Sequence, residues 1–338
     1  LKKEAKILLY FIKEVSAEEI KGLDKNLIIK NFGEIYKLRG IYFIKKGELK
    51  KAKDDFFTFI NVYGTYKEAP EVIYQLAEAY LKKDEEKAKT FYELIITNWD
   101  GTKEALFSKF RLYQIAYEKS LIKELLPEKT KEDLISFATL IKSKYPEEKI
   151  AEEASFMIVK VFFEGKNYFS ARKGAIEFLK IYERSPLIDV VKTYYCKSVS
   201  SLFEENYEKK NLFLVTKLEV EDKDLFEKTK CGEAYYTLGD IYFNYNLYTK
   251  ASYCFIRAYE LNNRKELIPK ILLKLGLLAL EDKNLDLFND IFNFLNKSKY
   301  KDLTKDPYYF YLMAFYEGQK NLGSGDYYLN LVLNSTLS

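Results

Sequence analysis

Gly40, Gly239 and Gly276 each sit inside a stretch of helical hydrophobic periodicity. A glycine in a helix interior costs about 1 kcal/mol relative to alanine. Glycine repeated in matched surroundings therefore implies that a side chain at that place would be in the way. Around Gly239, Tyr235 lies four residues before, Leu238 one before and Tyr242 three after; Ala251 follows at twelve, Phe255 at sixteen and Ala258 at nineteen. The same ruler laid on Gly40 meets Tyr36, Phe43, Ala52 and Phe56, with Gly47 at the turn, and on Gly276 it meets Leu272, Leu275, Phe288 and Phe292. Val159 heads a fourth copy with Phe162, Ala171, Ala175 and Phe178, and Ala77 a fifth with Tyr80, Ala88 and Tyr92, one residue short at the turn. Three looser copies span 102–142, 186–219 and 307–333.

Each copy reads as two antiparallel helices joined by a short turn. Gly239 and Ala251 are expected where the two helices approach most closely, with Tyr235, Leu238 and Tyr242 filling the gap inside the pair. Phe255 and Ala258 are expected to face the next pair. The second-helix anchors are Ala52, Ala88, Leu134, Ala171, Leu214, Ala251, Phe288 and Leu329, at steps of 36, 46, 37, 43, 37, 37 and 41 residues. Self-similarity at this period marks a helical-repeat array. The pattern resembles the tetratricopeptide repeat, whose unit is about 34 residues. That resemblance implies an all-α fold, a tetratricopeptide-like α-solenoid in which antiparallel helix pairs wind into a right-handed superhelix. It implies a single array of about eight pairs over 1–338, with 1–22 as the N-terminal helix of a truncated or capping repeat. Longer linkers near Leu121–Lys131 and Val220–Lys230 are where such an array bends. The period is longer than the family's, and Phe288 stands where alanine is expected.

Two junctions, VYGTYKEAPEVIYQLAEAYL and SKYPEEKIAEEASFMIVKVFF, place an aromatic, a proline and Glu-Ala before the next first helix. They are similar to repeats of bacterial envelope proteins, the outer-membrane barrel-assembly lipoprotein and the periplasmic coordinator of the Tol-Pal system. This implies a periplasmic or envelope setting and a lipid tether. The same residues also make good helix starts, since Pro70 and Pro146 suit a first turn and acidic neighbours suit the positive end of the helix dipole. The chain opens on Leu1 rather than Met, which points to a trimmed or processed form.

Chemistry is sparse. There is no His among the 338 residues, which removes the commonest general base and metal ligand. Cys196, Cys231 and Cys254 have no CxxC spacing and read as small buried hydrophobes, with no metal or other cofactor implied. No phosphate-cradling glycine motif precedes a helix. Glu18–Glu19, Glu85–Glu86 and Glu152–Glu153 alternate with Lys and read as solvated helix faces. An enzyme is not expected. Lys and Arg number 55 against 51 Asp and Glu, a net charge of +4 with the signs interspersed, so no nucleic-acid footprint is present. No apolar run approaches the ~20 residues of a membrane span. Scarce Gln and Met beside abundant Lys, Glu, Ile and Tyr suit a thermophile or an AT-rich genome.

The remaining functional element is a surface. By the resemblance, a concave groove is lined by first-helix positions six and three before the glycine position and one, four and five after it. The candidates so chosen are Lys37, Tyr74, Phe156, Lys160, Phe163, Tyr236, Asp240, Phe243 and Asn244. The pairs Lys37/Ile41, Tyr74/Glu78, Phe156/Lys160 and Tyr236/Asp240 do not reproduce the Lys/Asn/Arg carboxylate clamp of heat-shock co-chaperones. The expectation is a non-catalytic scaffold that binds a peptide or helix of a partner protein in the groove. An envelope structural or assembly module and a regulatory helical domain of a larger protein are the alternatives.

Overall fold

Hydrophobic periodicity along the chain becomes antiparallel helix pairs. The computed structural model describes residues 25–63, 68–123, 128–261, 266–297, 306–319 and 325–336, so the helix expected over 1–22 lies outside the described residues. The first four helices are α1 (Lys25–Lys46), α2 (Leu49–Tyr63), α3 (Ala69–Leu81) and α4 (Glu85–Asn98). Then come α5 (Lys103–Lys123), α6 (Glu128–Lys144), α7 (Lys149–Glu164), α8 (Tyr168–Ile181), α9 (Ile188–Glu208) and α10 (Leu212–Thr229). The last six are α11 (Gly232–Asn244), α12 (Tyr248–Leu261), α13 (Ile268–Glu281), α14 (Leu285–Lys297), α15 (Pro307–Gln319) and α16 (Gly325–Thr336). No strand occurs among the described residues. The fold is all-α and built from antiparallel helix pairs.

Two compact units divide the chain, residues 1–157 and 158–338, the boundary falling within α7. Within unit 1, α1 packs on α2, α3 on α4 and α5 on α6, and the first helices touch in series, α1 to α3 and α3 to α5. Within unit 2, α11 packs on α12, α13 on α14 and α15 on α16, while α9 adjoins α8, α10 and α11. Within each unit, contacts run between neighbours along the chain, the packing of a helical-repeat array.

The glycines explain the pairing, with one change of partner. A Cβ built on Gly239 would stand 2.7 Å from Cδ1 and Cε1 of Phe255, and one on Gly40 would fall against the ring of Phe56. The missing side chain is thus replaced by an aromatic ring from the second helix, sixteen residues on. Phe255 stays inside its own pair rather than facing the next one. Tyr235 and Tyr242 instead reach the preceding pair, donating from their hydroxyls to Glu227 and Glu219 of α10. Where Val159 occupies the glycine position, the small residue lies across the pair: a Cβ on Gly174 would meet Val159 Cγ2 at 3.2 Å. At Gly276 the nearest atom is Leu312 Cδ1 of the following pair, at 3.2 Å.

Five turns close in one way. Gly47, Lys166, Lys210, Asn246 and Lys283 all adopt positive φ, between 54° and 76°. The amide that follows each bonds five residues back, as Asn211 does to Asn206 and Asn284 to Ala279. This is the Schellman closure, in which a left-handed residue ends the first helix. Asn167, Asn211 and Asn284 then cap the second helix through their side chains. Each left-handed residue precedes by five the buried second-helix position: Ala52, Ala171, Val215, Ala251 or Phe288.

This register corrects three expectations. Leu214 is exposed and Val215 is its pair's buried anchor. Leu329 is 45% exposed and does not anchor the last pair. The segment 220–229, expected as a linker, is helix: Asp222 receives a buried bidentate pair from Arg172 at 2.6 and 2.5 Å, and Glu227 accepts from Arg257 and Tyr235. Its acidic composition imitates a loop, but those carboxylates are tied to the neighbouring second helices α8 and α12. Near 121–131, α5 runs to Lys123 and α6 begins at Glu128, leaving only 124–127 outside the described residues.

Cysteine pairing is a further correction. Cys254 is a buried free thiol, its pKa pushed up to about 12 by burial. Cys196 and Cys231 form a disulfide with a Cα separation of 5.6 Å, a span that a disulfide bridges. They lie 35 residues apart, close to one repeat, so stacking of α9 on α11 brings them together.

Ring-on-glycine packing predicts that Gly239→Ala destabilises the chain. The alanine gains about 1 kcal/mol of helix propensity, but overpacking of a close-packed core costs about 1–3 kcal/mol. Gly318, whose Cβ would meet nothing within 4 Å, is the control. Urea unfolding should show a lowered midpoint for Gly239→Ala and an unchanged or raised midpoint for Gly318→Ala; equal raises would refute the packing.

Candidate functional site

In unit 2 one stripe from each of two adjacent first helices lines an open cleft of about 510 Å³. From α9 come Lys197, Ser200, Ser201, Glu204 and Tyr207; from α11 come Glu233, Tyr236, Thr237, Asp240, Ile241 and Asn244. Phe163 at the end of α7 and Leu267 before α13 complete the wall. Spacing at i, i+3/i+4 and i+7 puts each set on one helix face.

Four of the nine candidates named from sequence meet here: Phe163, Tyr236, Asp240 and Asn244. The ring of Phe163 lies 4.9 Å from that of Tyr194, and the ring of Tyr236 lies 5.9 Å from that of Phe255. Burial and the carboxylate of Asp240 raise the pKa of the Tyr236 hydroxyl above its ordinary value. Asp240 is paired with Lys274 of α13 at 2.9 Å. Phe243 lies beside the cleft with its ring under the Lys274 ammonium, 4.9 Å away.

The other candidates lie elsewhere. Lys37 is half-buried on α1 and bonds Glu68 at 2.7 Å; Phe156 and Lys160 are half-buried on α7. Tyr74 packs edge-on to Phe107 at 5.8 Å with its hydroxyl buried near Glu78 and Arg111. Burial raises the pKa of that hydroxyl well above its ordinary value. Arg111 of α5 is itself buried, donating to both carboxylate oxygens of Glu78 at 2.8 Å and pairing with Glu153 at 2.5 Å. The corresponding face of unit 1 is therefore filled by the chain's own guanidinium.

The α9 contribution is missing from the candidates named by sequence. Phe203 stands twelve before Val215, at the glycine position. The offsets of the clear copies, applied to Phe203, give Lys197, Ser200, Glu204, Tyr207 and Glu208. Four of these five line the cleft. A phenylalanine in place of glycine, and an anchor placed one residue early at Leu214, hid them.

The cleft is predominantly acidic. Glu204 on its wall keeps part of its surface in water, and its pKa is raised by partial desolvation and then by the like charges of Glu233, Glu208 and Asp240. Its ordinary value is 4.5. No group of three or more metal-ligating side chains occurs among the described residues, and no described helix is long and apolar enough to cross a membrane.

No protein-family model and no curated protein matches the chain. Among solved structures, the apo form of RapI is similar over 90% of this chain and 97% of that one, at 13% identity and a TM-score of 0.42. A tetratricopeptide repeat protein of Parabacteroides merdae is similar over 74% and 99%, at 15% identity and a TM-score of 0.37. PilF of Pseudomonas aeruginosa is similar over 80% and 93%, at 11% identity and a TM-score of 0.33.

A pH dependence follows from Glu204. Its folded-state pKa is raised, so between 4.5 and that raised value the folded chain holds more protons than the unfolded one. Stability therefore falls as pH climbs through this window. The groups that face it are Lys197, Tyr207 and Glu208 on its own helix, Glu233, Tyr236 and Asp240 on α11, and Lys274 beyond Asp240. Glu204→Gln should be more stable than the parent at neutral pH, with the gap closing on acidification below the ordinary glutamate value. Urea midpoints across that range check it; a gap that is constant with pH would contradict it.

Proposed function

We propose that the chain is a non-catalytic interaction scaffold whose unit 2 holds a segment of a partner protein along α7, α9 and α11. The observation that carries this reading is the convergence of Phe163, Tyr207 and Tyr236 with Ser201, Thr237 and Asn244 around one open cleft. Aromatic rings give large contact area at low entropic cost, and short polar side chains give adaptable hydrogen bonds. The cleft volume falls within the range of ligand sites, about 300–1,000 Å³. A trough between two neighbouring helices suits an extended segment or one amphipathic helix. Arg111 fills the corresponding first-helix face of unit 1 with ion pairs to Glu78 and Glu153, which supports recognition in unit 2.

Photo-cross-linking tests the reading. A benzophenone side chain at Asn244 or Ser201 should trap a defined partner in native lysate. The same group at Val220, exposed on α10, should not. Replacing both Phe163 and Tyr236 with Ala should lower the Asn244 yield at least about tenfold, the loss expected when buried aromatic anchors are truncated. Equal trapping from Val220, or a yield indifferent to the double substitution, would refute it.

A further inference from the structure

The first helices carry a pattern of charge that is complete at two places and lacks one member at a third. Immediately after the glycine position stand Glu78 on α3, Asp240 on α11 and Glu204 on α9. Glu78 receives Arg111 from the next first helix, 33 residues on, at 2.8 Å. Asp240 receives Lys274 from the next first helix, 34 residues on, at 2.9 Å. For Glu204 the equivalent position, 33 residues on, is Thr237. Among the described residues no cation pairs with Glu204.

The surroundings of that missing charge are built for one. Lys274 is held by a carboxylate and by two ring faces, 4.9 Å from Phe243 and 4.4 Å from Tyr308. The cleft offers the same set: the carboxylate of Glu204 and the rings of Tyr207 and Tyr236. Four residues before Glu204, on the same helix face, Ser200 lines the cleft while only 6% exposed, and its Oγ has no hydrogen-bond partner. A buried hydroxyl without a partner costs free energy until something bonds it. Partial removal from water, and then the like charges of Glu233, Glu208 and Asp240, raise the proton affinity of Glu204. Lys197, at the far end of the α9 stripe, is the cation on the cleft wall, against Glu204, Glu233 and Asp240.

We propose that the cleft takes a lysine or arginine side chain of the partner segment, its head group bonded to Glu204 and Ser200 and its aliphatic stem laid against Tyr236. The incoming cation completes the carboxylate–cation pair that Arg111 and Lys274 complete elsewhere from within the chain. The proposal rests on the groove reading above and gives that groove a charge selectivity. A long side chain with an apolar stem suits such a site because stem and head are satisfied separately, and the aromatic faces add cation–π attraction.

Peptides of twelve residues selected from a random display library against the intact chain provide the test. Cleft-dependent binders, those lost on the Phe163/Tyr236 double alanine substitution, should carry Lys or Arg. Replacing that residue with norleucine should weaken binding roughly tenfold or more to the parent chain, the size of a charge-assisted hydrogen bond, and should leave binding to Glu204→Gln unchanged. Glu204→Lys should turn the selection toward acidic peptides. Thr237→Lys, which supplies the missing cation in cis, should abolish binding and raise the melting temperature in a manner that Glu204→Gln cancels. Cleft-dependent binders that lack a cation, or that tolerate norleucine without loss, would overturn the charge assignment and leave the groove reading standing. If no selected peptide depends on the cleft, both are overturned.

Discussion

An aromatic ring seated where a side chain is missing is the contact on which the rest of this fold depends. Phe56 fills the space beside Gly40, and Phe255 fills the space beside Gly239. Each ring is fully buried, which contributes about 1.5–3 kcal/mol of transfer free energy, more than the helix-propensity cost of the glycine. Close packing requires that volume across the crossing be shared. The pairs share it differently: glycine against phenylalanine in α1/α2 and α11/α12, Val159 against Gly174 in α7/α8, and a buried Phe203 on the first helix of α9/α10. What is constant is the complementarity of large and small rather than the identity of either partner.

That distinction sets how much of the fold could be read from the chain. The glycine-headed copies fixed the helix pairs and their order, because a helix-breaking residue at a fixed distance from an aromatic marks a close crossing of two helices. The assignment failed where the small residue moved to the opposite helix or was replaced. With Phe203 at the glycine position, the pair lost its marker and its anchor slipped from Val215 to Leu214. A second marker was present, since the left-handed turn residue and the asparagine cap hold the register in that pair, but Lys210 in a left-handed conformation looks like any other lysine. The acidic stretch 220–229 read as a linker because its charges are satisfied by Arg172 and Arg257, residues of other repeats. The Cys196–Cys231 link was hidden likewise, joining residues that only stacking makes neighbours.

Half of the cleft was legible on the same terms. Phe163, Tyr236, Asp240 and Asn244 follow from offsets to recognisable heads, whereas Lys197, Ser200, Glu204 and Tyr207 follow only once Phe203 is seen to play the glycine's part. Tyr74 occupies an equivalent position to Tyr236, yet Arg111 seals its hydroxyl from solvent. A position in a repeat therefore names a face, and the charges contributed by the next repeat decide whether that face is closed by the chain itself or left open. What separates the paired carboxylates Glu78 and Asp240 from Glu204 is one residue in the following first helix, Arg111 or Lys274 against Thr237.

The seating of the Phe255 ring on Gly239 can be observed directly by proton NMR of the chain selectively labelled at glycine. A ring at van der Waals contact shifts nearby protons, upfield over its face and downfield at its edge, so the Gly239 α-protons should resonate well away from those of exposed glycines such as Gly101. Phe255→Leu should return them toward the ordinary position. Gly239 α-protons at ordinary shifts in the folded parent chain, unmoved by Phe255→Leu, would contradict the packing on which the helix pairs, their stacking and the cleft between them are built.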